Sequence, residues 1–226
     1  MELERCRLLK VILTRYTQNP SLAIEEAAAN CYNSKPTKNG RIMESCYKSG
    51  HQSVLEFADF TFHIEGVSRA LLAQITRHRL ASFAVRSQRY VSETNFKYVI
   101  PAAISKNSQA KNIYDKIMLA ISDAYEDLQG LGIPNEDARM ILPNACETTL
   151  EVKMNGRELI HFMNERLCNR AQWEIRQLAQ KMKQCILEND DCKMFASFLV
   201  PKCESGQIYY CPEQKGCGRH PLAKNI

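Results

Sequence analysis

Residues 58–65 constrain the fold of this chain more than any other segment, because apolar and polar residues alternate there without interruption. Phe60, Phe62 and Ile64 fall on one side of an extended chain, and the polar residues between them fall on the other. This period of two is typical of a β-strand with one face in the core and one face in water. The pattern therefore predicts a half-buried strand, which we expect Gly66 to end.

The rest of the chain is mostly helical in pattern. Residues 8–13 fit either a strand or the start of a helix, and residues 148–154 are a further strand candidate. Helices are predicted after Pro20, after Gly40, over 68–76, over 109–128, after Pro134, after Gly156 and over 171–187. The helix over 109–128 is amphipathic, and its predicted core-facing stripe consists of Ile113, Ile117, Ala120, Ala124 and Leu128.

No repeat, low-complexity linker or break in composition divides the chain. The pattern predicts a single α+β domain over residues 1–200, with an antiparallel sheet flanked by helices, and a cysteine-containing tail over residues 201–226. A chain of 226 residues with 45% hydrophobic and 24% charged residues has the composition of an ordinary globular protein.

Charge and hydropathy narrow the class of protein. The net charge of +5 suits a phosphorylated ligand and is too mild to require nucleic acid. No signal-peptide pattern opens the sequence, and no apolar run approaches the ~20 residues that span a bilayer. We expect a cytoplasmic protein without membrane or nucleic-acid partners.

The ten cysteines are expected to be reduced thiols, because nothing in the sequence indicates secretion. Four soft donors nevertheless fall close together in the tail, and these are Cys203, Cys211, Cys217 and His220. They could hold a tetrahedral Zn²⁺, but the Cys-x-x-Cys pair of common zinc motifs is missing. We expect no bound metal and keep these four residues as the alternative.

An arginine-rich segment over residues 77–90 carries the strongest functional signal. Arg77, Arg79, Arg86 and Arg89 place four guanidinium groups within thirteen residues, with no lysine among them. The planar, permanently charged guanidinium group suits phosphate and carboxylate recognition. A solvated basic surface is the alternative, but the preceding residues form an apolar helix face rather than a polar surface. An anionic ligand is therefore expected.

The same segment resembles the signature of the flavin-dependent thymidylate synthases, the ThyX family. The matching positions are Arg77, His78, Arg79 and, after seven residues, Ser87. Further segments resemble the family in the same order, and they cover residues 50–56, 138–143, 155–162 and 166–176. The domain is therefore expected to have a ThyX-like fold.

The resemblance implies an enzyme that reductively methylates dUMP to dTMP. Methylenetetrahydrofolate would supply the carbon and NADPH the electrons, which pass through FAD. The flavin performs the redox chemistry, so the protein supplies binding, orientation and electrostatics. The resemblance also implies a homotetramer whose sites are shared between subunits.

Roles for individual residues follow from the same resemblance. The implied flavin contacts are Ser53, Arg77, His78, Arg79, Asn155, Arg157 and His161. The implied dUMP contacts are Gln74, Arg77, Ser87, Gln88, Arg89, Arg139 and Arg166. Arg166 is the implied catalytic residue, since it would hold the uracil edge and stabilise negative charge that develops on the pyrimidine.

Several of these residues also fit simpler roles. Arg139 could form a surface salt bridge with Glu136 or Asp137. His161 could be a hydrogen-bonded core histidine, and Asn155 could be a turn or N-cap residue. These roles need no ligand.

The sequence also departs from the family pattern. Ala84 and Val85 stand where relatives often carry Asn and Glu, and Arg86 adds a positive charge beside them, which would alter how folate or the flavin ring is held. Two other functions stay open: a nucleotide- or RNA-binding protein, in which Phe83 and Tyr90 stack on bases, and a flavin reductase without methyl transfer.

Overall fold

The computed structural model describes residues 9–225. Four strands form one sheet in the order β1-β2-β4-β3. The strands are β1 (Lys10–Tyr16), β2 (Asp59–Ser68), β3 (Ser82–Val85) and β4 (Glu147–Asn155). Thr17 bonds Asp59 and Thr14 bonds Thr61, so β1 and β2 run antiparallel. The expected α+β class is confirmed. Of the segment 8–13, residue 8 lies outside the described residues, and residues 10–13 belong to a strand rather than a helix.

The described part of the chain contains eight α-helices. They are α1 (Pro20–Cys31), α2 (Arg41–Lys48), α3 (Arg69–Ile75), α4 (Ala102–Ser105), α5 (Ser108–Gly130), α6 (Asn135–Ala138), α7 (Gly156–Arg166) and α8 (Trp173–Leu187). Short 3₁₀ helices cover Gln52–Phe57, Arg139–Ile141, Phe195–Phe198, Lys202–Glu204 and Ala223–Asn225. None of the helices within residues 9–225 has both the length and the apolar character needed to cross a bilayer.

Contacts within the chain divide it into two compact units. Among the described residues, the first comprises residues 9–10, Ile64–Gln74 and Ala84–Leu150, and the second comprises Val11–His63, Ile75–Phe83 and residues 151–225. The core of the first unit contains Phe96, Tyr98, Met118 and Cys146. In the second unit Phe60 packs on Phe195 with ring centroids 4.9 Å apart. The tail from residue 201 belongs to the second unit.

The alternation predicted for β2 is confirmed, because Phe60, Phe62 and Ile64 are fully buried while the intervening residues are half exposed. The prediction that Gly66 ends this strand is wrong. The strand continues to Ser68, and Gly66 and Val67 are both buried. Gly66 has a φ of 76°, a conformation that glycine adopts without strain. The glycine therefore lies inside the strand rather than at its end.

The predicted core stripe of α5 is also wrong, although the helix itself is confirmed. Ile113 and Ile117 are 65% and 53% exposed, whereas Met118, Ser122 and Tyr125 are buried. The two stripes are adjacent on the helix and have the same helical spacing. The tyrosine-bearing stripe is the buried one, because its hydroxyls have partners: Tyr125 accepts the Glu93 N–H at 3.2 Å. An apolar face of α5 is left exposed.

Strand β4 runs into α7 without an intervening loop. Asn155 is the last residue of the strand and also the N-cap of the helix, where its side chain accepts the Glu158 N–H at 2.9 Å. Gly156 donates its N–H to the Ala58 carbonyl at 2.7 Å. A Cβ atom at residue 156 would lie 2.6 Å from the Leu55 carbonyl oxygen, so only glycine fits this junction.

Candidate active site

A cavity of about 560 Å³ in the second unit collects most of the predicted flavin contacts. Arg77, His78 and Arg79 line it from the turn after α3, and Arg157 and His161 line it from α7. The segment after α3 turns sharply, since the His78 N–H bonds the Ile75 carbonyl at 3.0 Å. This turn buries the His78 side chain and leaves both flanking arginines exposed.

His78 is the centre of a short hydrogen-bond chain. Its Nδ1 lies 3.0 Å from Glu158 Oε1, and its Nε2 accepts the Arg166 Nε–H at 3.1 Å. An arginine can only donate, so Nε2 carries the lone pair and Nδ1 carries the proton, which is donated to Glu158. The chain therefore fixes one neutral tautomer of His78 and holds one nitrogen of Arg166.

Burial shifts the pKa of both His78 and Glu158, the two buried residues of this hydrogen-bond chain. Burial first, and then the charges of Arg166 and His161, lower the pKa of His78 to about 4. Burial raises the pKa of Glu158, and the electrostatic effect of His161 partly opposes this increase. His78 is consequently uncharged at neutral pH, and the positive charge at this position belongs to Arg166.

The other predicted flavin contacts differ in placement. His161 is exposed on the cavity wall, so the alternative of a core histidine does not apply. Asn155 acts as the N-cap of α7, which is the simpler role considered from the sequence. Ser53 is exposed in the 3₁₀ helix Gln52–Phe57. Of the described residues that line the cavity, Gln52 comes from this helix and Ser53 does not appear among them.

The first unit contains a second cationic cluster, made by predicted phosphate contacts. Arg89 donates from Nε to the Glu136 carboxylate at 2.9 Å, and Arg139 donates from Nε to the Glu136 carbonyl oxygen at 3.1 Å. The Ser87 hydroxyl oxygen accepts the Arg89 N–H at 3.2 Å. Two guanidinium groups thus meet at one acidic residue, and Arg139 bonds its neutral carbonyl oxygen rather than its carboxylate. The cluster suits a dianionic phosphate.

Two predicted substrate contacts are turned toward the protein. The Gln88 amide points at Cys146 Sγ at 3.6 Å, and Gln74 makes a long contact of 3.5 Å with the Ala70 carbonyl. Cys146 is fully buried, and burial, followed by the Glu93 charge, raises the pKa of its thiol to about 12. This thiol remains protonated and does not act as a nucleophile.

Arg86 is held by the protein itself. Its Nη2 lies 2.7 Å and 3.0 Å from the two carboxylate oxygens of Glu93, and the Glu93 side chain is 4% exposed. Arg69 donates to the Arg86 carbonyl oxygen at 2.8 Å. The Arg86 charge, which was expected to alter folate or flavin binding, therefore forms an ion pair within the protein.

Comparison with known proteins decides the family. The family model described as "Thymidylate synthase complementing protein" matches residues 12–189. A flavin-dependent thymidylate synthase of Geobacter sulfurreducens is 43% identical over 190 residues, covering 79% of this chain and 82% of the relative. The chain belongs to the flavin-dependent thymidylate synthases. The resemblance found in the sequence is confirmed.

Other relatives extend over nearly the whole length of the chain. The flavin-dependent thymidylate synthase of Nitratidesulfovibrio vulgaris is 39% identical over 242 residues, covering 96% of this chain and 97% of the relative. A crystal structure of Helicobacter pylori ThyX with FAD and dUMP has a TM-score of 0.67 and 24% identity, covering 85% of this chain and 99% of that one. The expected ThyX-like α+β fold is confirmed.

Sequence reasoning missed several residues of the candidate site. Glu158 follows Asn155 by three residues, a spacing typical of a helix cap, and nothing local shows that its carboxylate reaches His78. Gln52, Lys202 and Gln207 also line the cavity. The latter two lie in the tail that was predicted to be separate from the catalytic domain.

Side chains of the types that can ligate a metal ion line both cavities. His78, Glu158 and His161 have donor atoms within 4.8 Å of one another, and they are the one such group among the described residues. His78 and Glu158 already bond each other and belong to the site above. Cys203, Cys211, Cys217 and His220 line a separate cavity, described below.

Proposed function

We propose that the protein converts dUMP to dTMP by reductive methylation, with methylenetetrahydrofolate as the carbon donor, NADPH as the reductant and FAD as the cofactor. The observation that carries this proposal is the Glu158–His78–Arg166 hydrogen-bond chain beside an arginine-lined cavity. Membership of the family and the binding of FAD and dUMP by the Helicobacter pylori protein support it.

The residues of the larger cavity fit FAD. Arg77, Arg79, Arg157 and Lys202 offer cationic groups to the diphosphate, and His161 offers a ring nitrogen. Ser53 and Asn155 complete the proposed set. When bound, FAD would carry the electrons between NADPH and the nucleotide. The protein would hold the cofactor in position and exclude water.

The phosphate of dUMP would bind the cluster of the first unit. Arg89 and Arg139 would share the phosphate charge, the Ser87 hydroxyl would add a hydrogen bond, and Gln74 and Gln88 would complete the proposed pocket. Since Glu136 already bonds Arg89 through Nε, the terminal nitrogens of the guanidinium group are the ones offered to a ligand.

Arg166 would act on the uracil base, together with Arg77. His78 accepts one N–H of Arg166, which restricts the orientation of the guanidinium group. A fixed cation aimed at negative charge that develops in a water-poor site contributes about 3–4 kcal/mol to the transition state. The neutral state of His78 is important here, because a charged imidazolium would repel Arg166.

The active assembly would be a homotetramer in the cytoplasm, with each site completed by more than one subunit. The exposed apolar face of α5, with Ile113 and Ile117, is a surface that another subunit would cover. The described cysteines are free thiols, a state that a reducing compartment would maintain.

The test is to purify the protein, record its flavin spectrum and measure release of the C5 proton of dUMP. We expect a bound flavin, and dUMP-dependent proton release and dTMP formation with methylenetetrahydrofolate and NADPH. A flavin reductase would oxidise NADPH without releasing that proton. Salt-sensitive RNA binding without a yellow chromophore would instead show a nucleic-acid-binding protein.

A further inference from the structure

A second cavity of the second unit, about 240 Å³ in volume, has four cysteines among its lining residues. Cys168 enters it from the loop after α7, and Cys203, Cys211 and Cys217 enter it from the tail. All four are free thiols in this structure. His220 also lines the cavity. The sequence indicated the three tail cysteines, but not that Cys168 joins them from a segment 35 residues earlier in the chain than Cys203.

Two of these cysteines have the backbone environment of a metal-bound thiolate. The Arg170 N–H, two residues after Cys168, points at Cys168 Sγ at 3.5 Å. The backbone of Arg219, two residues after Cys217, hydrogen-bonds the Cys217 thiol, and the Asn169 side chain hydrogen-bonds it as well. Amide hydrogens directed at sulfur stabilise the charged form of the ligand. Asn169 also links the two segments, since it follows Cys168 and contacts Cys217.

The tail folds without a hydrophobic core of its own. Pro201, Ser205 and Cys211 are buried, whereas the whole run of residues 212–219 is exposed. Its regular structure consists of two 3₁₀ turns and one bridge, in which the Cys211 N–H bonds the Pro221 carbonyl at 2.7 Å. Ordering such a segment costs about 1–2 kcal/mol per residue in backbone entropy, which so little burial does not offset. Small segments of this kind are usually held by a cross-link or a metal ion.

We propose that Cys168, Cys203, Cys211 and Cys217 form a structural zinc site that fastens the tail to the loop after α7. Four thiolates are a common donor set for structural Zn²⁺, and they leave no position open for catalysis. This proposal replaces the sequence expectation of no metal, and it replaces His220 by Cys168 as the fourth ligand.

Binding of the ion would contract the cavity. Tetrahedral Zn–S bonds of ~2.3 Å place the sulfurs about 3.8 Å apart, whereas the described cysteine sulfurs form no group of three within 4.8 Å. The exposed run of residues 212–219 has few packing contacts to resist the movement. Four thiols would lose their protons on binding, so affinity would fall in acid.

The site would also stabilise one wall of the larger cavity. Asn164, Glu165 and Lys202 line both cavities, and Lys202 directly precedes Cys203. The zinc proposal does not depend on the proposed reaction, because metal content and flavin content are measured separately.

The experiment uses full-length protein purified without a polyhistidine tag under reducing conditions. We expect about one zinc ion per chain by elemental analysis. Cys168→Ser and Cys217→Ser should each lose most of the zinc, whereas Cys31→Ser, which removes an exposed thiol from α1, should keep it. Far-UV circular dichroism, recorded on the same samples, shows whether each variant has folded.

Thiol accessibility provides a measurement that needs no variant. A thiol-specific reagent should modify four fewer cysteines in untreated protein than in protein treated with a strong chelator. Zinc well below stoichiometry together with full thiol reactivity would overturn the proposal. Iron with acid-labile sulfide, or a mass 2 Da lower per chain from a disulfide, would also overturn it.

Discussion

His78 shows how one buried side chain fixes the chemistry of its neighbours. Arg166 and Glu158 contact opposite nitrogens of the ring, so the proton has a single position. The ring also contacts Phe162 edge-on, with centroids 5.0 Å apart. These contacts hold the imidazole between α7 and the turn after α3.

We predict that stability decreases as the pH falls from about 6.5 to about 4, because of His78. The folded-state pKa of about 4 lies below the unfolded value, so the unfolded chain binds a proton first and acid favours unfolding. The full effect would be about 3 kcal/mol. Glu158, whose pKa is raised, acts in the opposite direction.

The measurement is urea unfolding of flavin-free protein at pH 7 and pH 4.5, together with NMR titration of the histidine rings. His78→Gln should flatten the pH dependence and remove a resonance that titrates near pH 4. A His78 resonance titrating near pH 6.5 would contradict the prediction.

We predict that Arg166→Ala keeps the flavin but reduces kcat by about 10²–10³-fold, because a cation near the developing charge is lost. The same change should raise the pKa of His78, since the charge of Arg166 helps to lower it. Steady-state kinetics, the flavin spectrum and NMR titration measure these effects. Arg15→Ala, at an exposed position of β1, is the matched control. Near-normal dTMP formation by Arg166→Ala would remove Arg166 from the mechanism.

At the scale of elements, the loop after β3 depends on a buried ion pair. Glu93 bonds Arg86 through its carboxylate and Tyr125 through its backbone N–H, which links the loop to α5. Ser87, Gln88 and Arg89 directly follow Arg86. The ion pair therefore fixes the start of the segment that carries the proposed phosphate contacts.

We predict that Glu93→Gln destabilises the protein by about 1–2 kcal/mol, a value reduced because the Arg86 side chain is partly exposed. The KM for dUMP should rise several-fold, while kcat and flavin content change little. Thermal unfolding and steady-state kinetics measure this, with Glu126→Gln on the exposed side of α5 as the control. An unchanged KM in a destabilised variant would limit Glu93 to a structural role.

Local patterns predicted most elements, and they predicted the buried face of β2 but not that of α5. The alternation in β2 and the Asn155 cap of α7 are local signals, and both are confirmed. On α5 two adjacent stripes both had helical spacing, and the choice depended on distant hydrogen-bond partners of the tyrosines. The four-residue strand β3 was missed because it lies within the arginine-rich segment.

The candidate site was also predictable only in part, because local sequence patterns identify some of its residues but not the contacts between distant ones. Arg77, His78 and Arg79 are recognisable from their spacing, and all three line the cavity. The contacts of His78 with Glu158, 80 residues away, and of Cys168 with the tail cavity depend on tertiary folding. No local pattern contains this information.

For the whole molecule, the exposed apolar face of α5 leads to a prediction about assembly. We predict that Ile117→Asp shifts the protein toward smaller species, because a charge would be buried in the proposed subunit contact. Light scattering after gel filtration measures the mass, and Asn112→Asp, exposed elsewhere on α5, is the control. An unchanged mass would move the subunit contact away from Ile117.

Lys202 and Gln207 give the larger cavity a wall from near the end of the chain. The ribosome produces these residues after the strands and α7 have emerged, so a growing chain can fold its sheet before the cavity is complete. A chain cut off before residue 202 would leave the larger cavity open on that side. Synthesis past residue 207 is therefore a condition for a complete cavity, and chains that stop before residue 202 should bind the proposed flavin weakly.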